Sequence, residues 1–361
     1  MAHDVVVLGA SVAGLTVARR LAAEGYDVLV LDPNQEFRSA AIGHGVAAVG
    51  HASTVAAMAI AYGVAGALEH ARRNLAAMEE IRQIHPGLTT MALRDSSLPG
   101  GDERETREVA ELFRTAGAEA QVDRGPGGAA LVTNALCVDT DEYARLLRAA
   151  AVAAGAQVVH EVTVTHLTRR EGITRIGFRN NLAWVRDAGT VGGVAVIDTL
   201  GISPWGRAAR IGPAQWVPVL RCTPARPRTE ISLHATGPAW MIRPVGEAAL
   251  VVGQKVSLSS IEAATAGLAE WARSELGASD IETGRMAIDP SDHGRPVVGA
   301  SAIPGGFYAR GNGRGELMNG TASGYYLAGL LLGDSPANAL PRFSRMRAYG
   351  SRLLRQRGAE A

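Results

Sequence analysis

A mixed α/β fold is predicted, with a parallel sheet gathered from separated segments beside a smaller α+β domain on a mixed or antiparallel sheet. Three observations predict it. Residues 4–32 read as strand, glycine turn, helix, strand; residues 306–332 repeat strand, glycine-rich loop and helix; and residues 213–257 form a proline-punctuated, strand-rich stretch. The length of 361 residues suits two domains.

Asp4–Leu8 is a continuous apolar run, as a strand covered on both faces requires. Ala13–Ala23 places Leu15, Ala18, Leu21 and Ala22 at helical spacing, and Gly25 stands where a helix ends. Asp27–Leu31 is a second buried strand, closed by Asp32 and Pro33. Val46–Leu68 carries no formal charge and is long enough to span a bilayer. Its Ala, Gly, Ser and Thr content gains little from insertion, so a buried loop and helix are expected, and no membrane. Residues 66–121 read as mainly helical, with one loop at Arg94–Asp102. Asp139–Ala154 is a helix capped by Thr140 or Asp141, with Tyr143, Leu146, Leu147 and Ala150 inward. Gln157–Leu167 alternates as a strand, and residues 170–200 make a hairpin followed by the strand Val194–Ile197. Ile261–Leu276 is helical, Phe307–Ala309 is a strand, and Ala322–Leu332 is the last helix. These segments assign 1–75, 129–205 and 284–361 to a discontinuous nucleotide-binding domain, and 76–128 and 206–283 to the smaller one.

Composition excludes several functions. The chain is 47% hydrophobic, so a large core forms. Its 36 Lys+Arg balance 35 Asp+Glu, which argues against nucleic-acid binding. Two cysteines build neither a disulfide framework nor a cysteine zinc site, and a reducing cytoplasm is expected. The nine histidines are scattered without ligand spacing, so no metal is expected.

Gly9-Ala-Ser-Val-Ala-Gly14 lies between the first strand and its helix. Gly9 allows the tight turn and Gly14 lets helix and strand pack closely. The free N–H groups of the helix start then face a pyrophosphate, with Ala13 in the first turn. Asp32, ending the next strand, is placed to accept hydrogen bonds from ribose hydroxyls. Ser11 stands where this fingerprint has its second glycine, and its Cβ crowds the phosphate. The second cluster, Gly311-Asn-Gly-Arg-Gly-Glu-Leu-Met318, precedes another helix start. Such an end stabilises negative charge on a reduced flavin ring, and a nicotinamide has no need of it.

With both clusters in place, the sequence resembles the FAD-dependent amine and amino-acid oxidase family that includes D-amino acid oxidase, glycine oxidase and sarcosine oxidase. The resemblance runs through Val5–Asp32, Ser39–Gly43, Val138–Tyr143, Val196–Gly201, Trp240–Pro244 and Leu250–Gly253 to Asp292–Gly299 and the Gly311–Gly324 loop. It implies a Rossmann-like FAD-binding domain. It places Ser39, Ala40, Ala41 and Gly43 against the flavin ring, Val164 near adenine, and Gly201 beside the dinucleotide. Gly311, Gly313, Gly315, Leu317 and Met318 then form the loop and helix start at the ring.

By the same resemblance Arg285 and Arg314 match arginines that face substrate, and a guanidinium fork suits a carboxylate. Met241 stands where the family has a substrate-facing tyrosine, and Arg243, two residues on, shares its face. His44 is either a covalent flavin attachment point, a substrate contact or a hydrogen-bonded core residue. Lys255, the only lysine in the chain, is expected at an exposed strand end. The expected reaction is oxidation of a C–N bond in a small amine or amino acid by hydride transfer to the flavin, with O2 or another electron acceptor taking the electrons on. A flavin monooxygenase using NAD(P)H, disfavoured by the absence of a late Gly-Asp-Ala motif, and a non-catalytic FAD-binding protein are the alternatives.

Overall fold

The computed structural model describes residues 2–34, 44–98, 102–125, 128–181, 188–201, 215–290, 294–301 and 304–333. The first half runs β1 (Ala2–Leu8), α1 (Val12–Ala23), β2 (Val28–Leu31), β3 (Val46–Ala48), α2 (Ala52–Ile84), β4 (Thr89–Ser96), α3 (Glu103–Ala116), β5 (Ala120–Gly125), β6 (Gly128–Cys137) and α4 (Thr140–Ala153). It continues with β7 (Gln157–Val159), β8 (Val162–Arg170), β9 (Ile173–Asn180), β10 (Ala188–Asp198), β11 (Gln215–Thr223), β12 (Ile231–His234), β13 (Ala239–Val245) and β14 (Ala248–Gly253). The end comprises α5 (Ile261–Leu276), β15 (Ser279–Ile288), β16 (Val297–Ala300), β17 (Gly306–Arg310) and α6 (Glu316–Leu332).

Among the described residues two sheets form. The first has the order β16-β17-β10-β1-β2-β7, with β17, β10, β1, β2 and β7 parallel. β8 and β9 form a hairpin on the first half of β10. Along β1, Val5 and Val7 join the main core with α1, whereas Val6 and Leu8 pack with Val162, Val164 and Ile176 of the hairpin. Both faces of this sheet are therefore covered, as its unbroken apolar strands require.

The second sheet has the order β15-β11-β14-β13-β12-β4-β6-β3, with β5 on β6. It is antiparallel except where β12 meets β4. α5 covers one side through Leu268, Ala269 and Ala272 against Leu220, Ile242 and Val251. Sheet membership cuts across the segments expected from sequence. β3, within 1–75, and β6, which lies in 129–205 apart from its first residue Gly128, belong to this second sheet.

Three local readings differ. Thr89–Ser96, read as helix or loop, is a strand paired to β6 and β12. Asp139 caps α4, accepting from the N–H groups of Asp141 and Glu142, because its side chain precedes the first turn. α6 begins at Glu316 instead of Ala322. α2 is also more exposed than expected: it is broken at Gly63 (φ 74°, ψ 169°), and Ile60 and Val64 are 86% and 60% exposed. By length and composition alone this helix could cross a membrane.

Candidate active site

The turn after β1 is held by backbone geometry. Gly9 has φ 97°, open only to glycine in practice, and its N–H donates to the Leu31 carbonyl at 2.8 Å. A Cβ on Gly14 would be driven into the Gly9 carbonyl oxygen and would lie 2.6 Å from Thr199 Oγ1. Thr199 Oγ1 itself lies 3.0 Å and 2.9 Å from the Leu8 and Gly9 carbonyls and closes the turn from β10. Ser11 does more than crowd a phosphate: it is the N-cap of α1, its Oγ accepting from the Gly14 N–H at 3.1 Å. Ala13, in the first turn, is fully buried.

Asp32 is 1% exposed and sits at the end of β2. Its Oδ1 accepts from the Ala10 N–H at 3.1 Å, and its Oδ2 lies 3.3 Å from His160 Nδ1. Arg148 Nε donates to the other ring nitrogen of His160, which leaves the Nδ1 proton for the carboxylate. Val164 is buried on β8 beside a bulge, and Gly201 follows β10 at φ 61°.

The second glycine cluster is tied to Asp289. Gly311 N–H donates to its Oδ2 at 2.6 Å, and Gly313 N–H to its carbonyl at 3.0 Å. Both glycines have positive φ (70° and 63°). Gly315 is the N-cap of α6, and Leu317 and Met318 are buried in its first turn. Burial pushes the Glu316 carboxyl up to about 8, with Asp289 adding to the rise. It is therefore neutral at pH 7 and does not cancel the positive end of α6. α6 crosses α1 closely: a Cβ on Gly324 would lie 2.6 Å from Thr16 Cβ, and one on Gly320 3.0 Å from Val12 Cβ.

Near this helix start lies a cavity of about 260 Å³ lined by His51, Trp240, Lys255, Arg314 and Asn319. The Arg314 guanidinium lies 4.0 Å above the Trp240 ring and donates through Nη2 to the Gly253 carbonyl at 3.1 Å. Its Nε is buried and unpaired among the described residues. His51 meets Trp240 edge-on at 5.0 Å, and His44 lies 5.3 Å from the same ring. All four ring nitrogens of these two histidines are buried and unpaired among the described residues. Burial lowers His51 to about 4, with Arg314 and Lys255 adding to it, and lowers His44 well below its ordinary value, with His51 adding to that fall. Burial also lowers His70, at 3.1 Å from Asn74 Nδ2, to about 4.

Stability consequently depends on acid. Unfolded histidines take up protons near 6.5, whereas native His51 and His70 resist until about 4, so stability is complete above 6.5 and falls as pH drops towards 4. Each site accounts for at most about 3 kcal/mol. Thermal unfolding between pH 7 and 4.5 should show a steep decline that His51→Phe flattens; an unchanged slope would contradict neutral burial.

A second cavity, of about 480 Å³, lies on the other side of His44 and is lined by Arg221, Arg243 and Arg285 with Asp139 and Asp141. The structure thus separates the two arginines that sequence placed together. Arg285 is exposed on β15, its guanidinium 5.4 Å from the Trp216 ring, while Arg314 faces the first cavity. Arg243 is a tether: its Nη1 donates to the Gly45 and Val138 carbonyls at 3.0 and 3.1 Å.

Met241 is 0% exposed and lines neither of these cavities, contrary to its expected place at substrate. The cause is a register shift between Ala239 and Met241. It directs both Trp240 and Met241 into the main core while Ala239 and Ile242 pack under α5. Trp240 thereby becomes the aromatic wall of the cavity. Lys255 does lie exposed just beyond β14, but at the mouth of this cavity. His51, Trp240 and Asn319 were not among the candidate site residues read from sequence, although Trp240 and Asn319 lie in the blocks Trp240–Pro244 and Gly311–Gly324 that carry the resemblance. Ser39, Ala40, Ala41 and Gly43 lie outside the described residues.

The family described as DAO, FAD dependent oxidoreductase, matches residues 4–330. Among solved structures, glycine oxidase from Geobacillus kaustophilus is 18% identical with a TM-score of 0.67, covering 95% of this chain and 98% of its own. Iminodiacetate oxidase from Chelativorans sp. BNC1 is 18% identical with a TM-score of 0.68 (94% and 98% covered). L-amino acid deaminase from Proteus myxofaciens is 12% identical with a TM-score of 0.69 (95% and 92% covered). No curated protein matches the chain.

Proposed function

The chain belongs to the FAD-dependent oxidoreductase family, and from that premise we propose that it oxidises the C–N bond of a small amine bearing an anionic group. Hydride would leave the carbon beside nitrogen, giving an imine that water hydrolyses. FAD supplies the two-electron acceptor when bound. The chain's residues fit it: a turn that closes only with glycine at 9 and 14, the buried Asp32 after β2, and the start of α6, where burial raises the Glu316 carboxyl.

Arg314 is the observation that carries the substrate reading. Its guanidinium is held 4.0 Å over the Trp240 ring in a cavity whose described lining contains no Asp or Glu. A carboxylate entering there pairs with a charge that has already lost water, and orientation by such a fork sets the reacting carbon. Neutral His51 and Trp240 line the cavity as uncharged rings, with His44 packed behind Trp240. With no carboxylate to hold an ammonium, the amine reacts in its neutral form. Glycine, iminodiacetate and L-amino acids, named for the similar structures, all join an amine to a carboxylate.

The test is anaerobic rapid mixing of the yellow holoenzyme with a panel of amines. Anionic amines should bleach the flavin, faster with rising pH until the bound amine has lost its proton. Bleaching by NAD(P)H and by no amine would overturn the reading in favour of a monooxygenase.

A further inference from the structure

We propose that the natural substrate carries two anionic groups, one held by Arg314 and the second by Lys255 at the mouth of the same cavity. This deepens the reading of that cavity as the substrate site and rests on it. Two cations line it, and no Asp or Glu lies among its described lining residues. Neither cation has a carboxylate partner among the described residues; Arg314 spends one donor on the Gly253 carbonyl and keeps Nε unpaired in the interior.

The two charges also act on one another and on the wall between them. Arg314 lowers the Lys255 ammonium, after burial, and both cations lower His51. The site therefore stores like-charge repulsion that an entering anion relieves. A simple amino acid entering as a zwitterion brings no net charge and places an ammonium among these cations. A dicarboxylate amine brings net negative charge in either protonation state, which is what the pair lacks.

Residue type points the same way. Lys255 is the only lysine among 36 basic residues. Its flexible stem and compact charge suit a second carboxylate at variable reach, whereas the planar fork of Arg314 fixes the first.

Glutarate and butyrate, which differ by one carboxylate and have no amine to oxidise, are the probes. Titrated into holoenzyme and followed by the perturbation of the flavin spectrum, glutarate should bind at least about ten-fold tighter than butyrate. Lys255→Met should bring the ratio to within about two-fold, Lys255→Arg should keep it, and high salt should shrink it. A ratio near one in the wild-type protein overturns the inference. So does an undiminished ratio in Lys255→Met. If monocarboxylate amines bleach the flavin while the ratio is near one, only this inference falls. If glutarate binds tightly but no amine bleaches, the two-anion site stands and the amine reading falls.

Discussion

Gly14→Val yields a colourless protein. The added Cβ meets the Gly9 carbonyl oxygen and Thr199 Oγ1, and Thr199 is itself anchored to the Leu8 and Gly9 carbonyls. Overpacking that flexible side chains can absorb costs about 1–3 kcal/mol. Here the obstacle is main chain on one side and a fastened hydroxyl on the other, so the expected loss exceeds about 3 kcal/mol, or more than about 100-fold in FAD retention. Absorbance of the purified protein and of flavin released on denaturation reads this directly. Gly267→Ala is the control, because it lies exposed in α5 with open space where its Cβ would go. Gly267→Ala should stay yellow; a yellow Gly14→Val with full FAD content would show that α1 can move off the turn.

Arg314→Met should lower kcat/KM on the true substrate by about 2–4 kcal/mol, roughly 30- to 1000-fold. The size follows from the setting: the guanidinium is desolvated enough to be pulled below its ordinary value. A substrate anion deprived of it loses the desolvated, oriented cation that positions the reacting carbon. Arg285→Met should change kcat/KM by less than about 0.5 kcal/mol, since Arg285 is exposed and lines the other cavity. Steady-state kinetics on both variants decide the matter, and equal losses would restore the pairing of the two arginines suggested by sequence.

The nucleotide half was legible because its signals are local. The apolar run of β1, the glycines at 9 and 14, the helical spacing to Ala23 and the acid at 32 lie within one βαβ unit. What escaped depends on partners far along the chain. β4 is a strand because β6 and β12 offer their edges to it, which no property of Thr89–Ser96 announces. The start of α6 was placed late because Gly315, Asn319 and Gly320 are poor helix formers, and close packing on α1 outweighs that propensity. Trp240 was overlooked for Met241 because a one-residue shift in strand register reverses which side chain faces the cavity, and the shift leaves no mark in composition.

The tight crossing of α1 and α6 also bears on how the molecule is made. Gly320 and Gly324 seat α6 on Val12, Ala13 and Thr16 of α1. The helix that begins the chain thus waits for one separated from it by roughly 300 residues. At a ribosomal pace of about 5–20 residues per second, that wait is roughly 15–60 seconds. Throughout it the small-residue face of α1 has no native cover. The cradle can close only once α6 has been made, so FAD capture follows its synthesis and a nascent chain that lacks α6 is a target for chaperones and proteases.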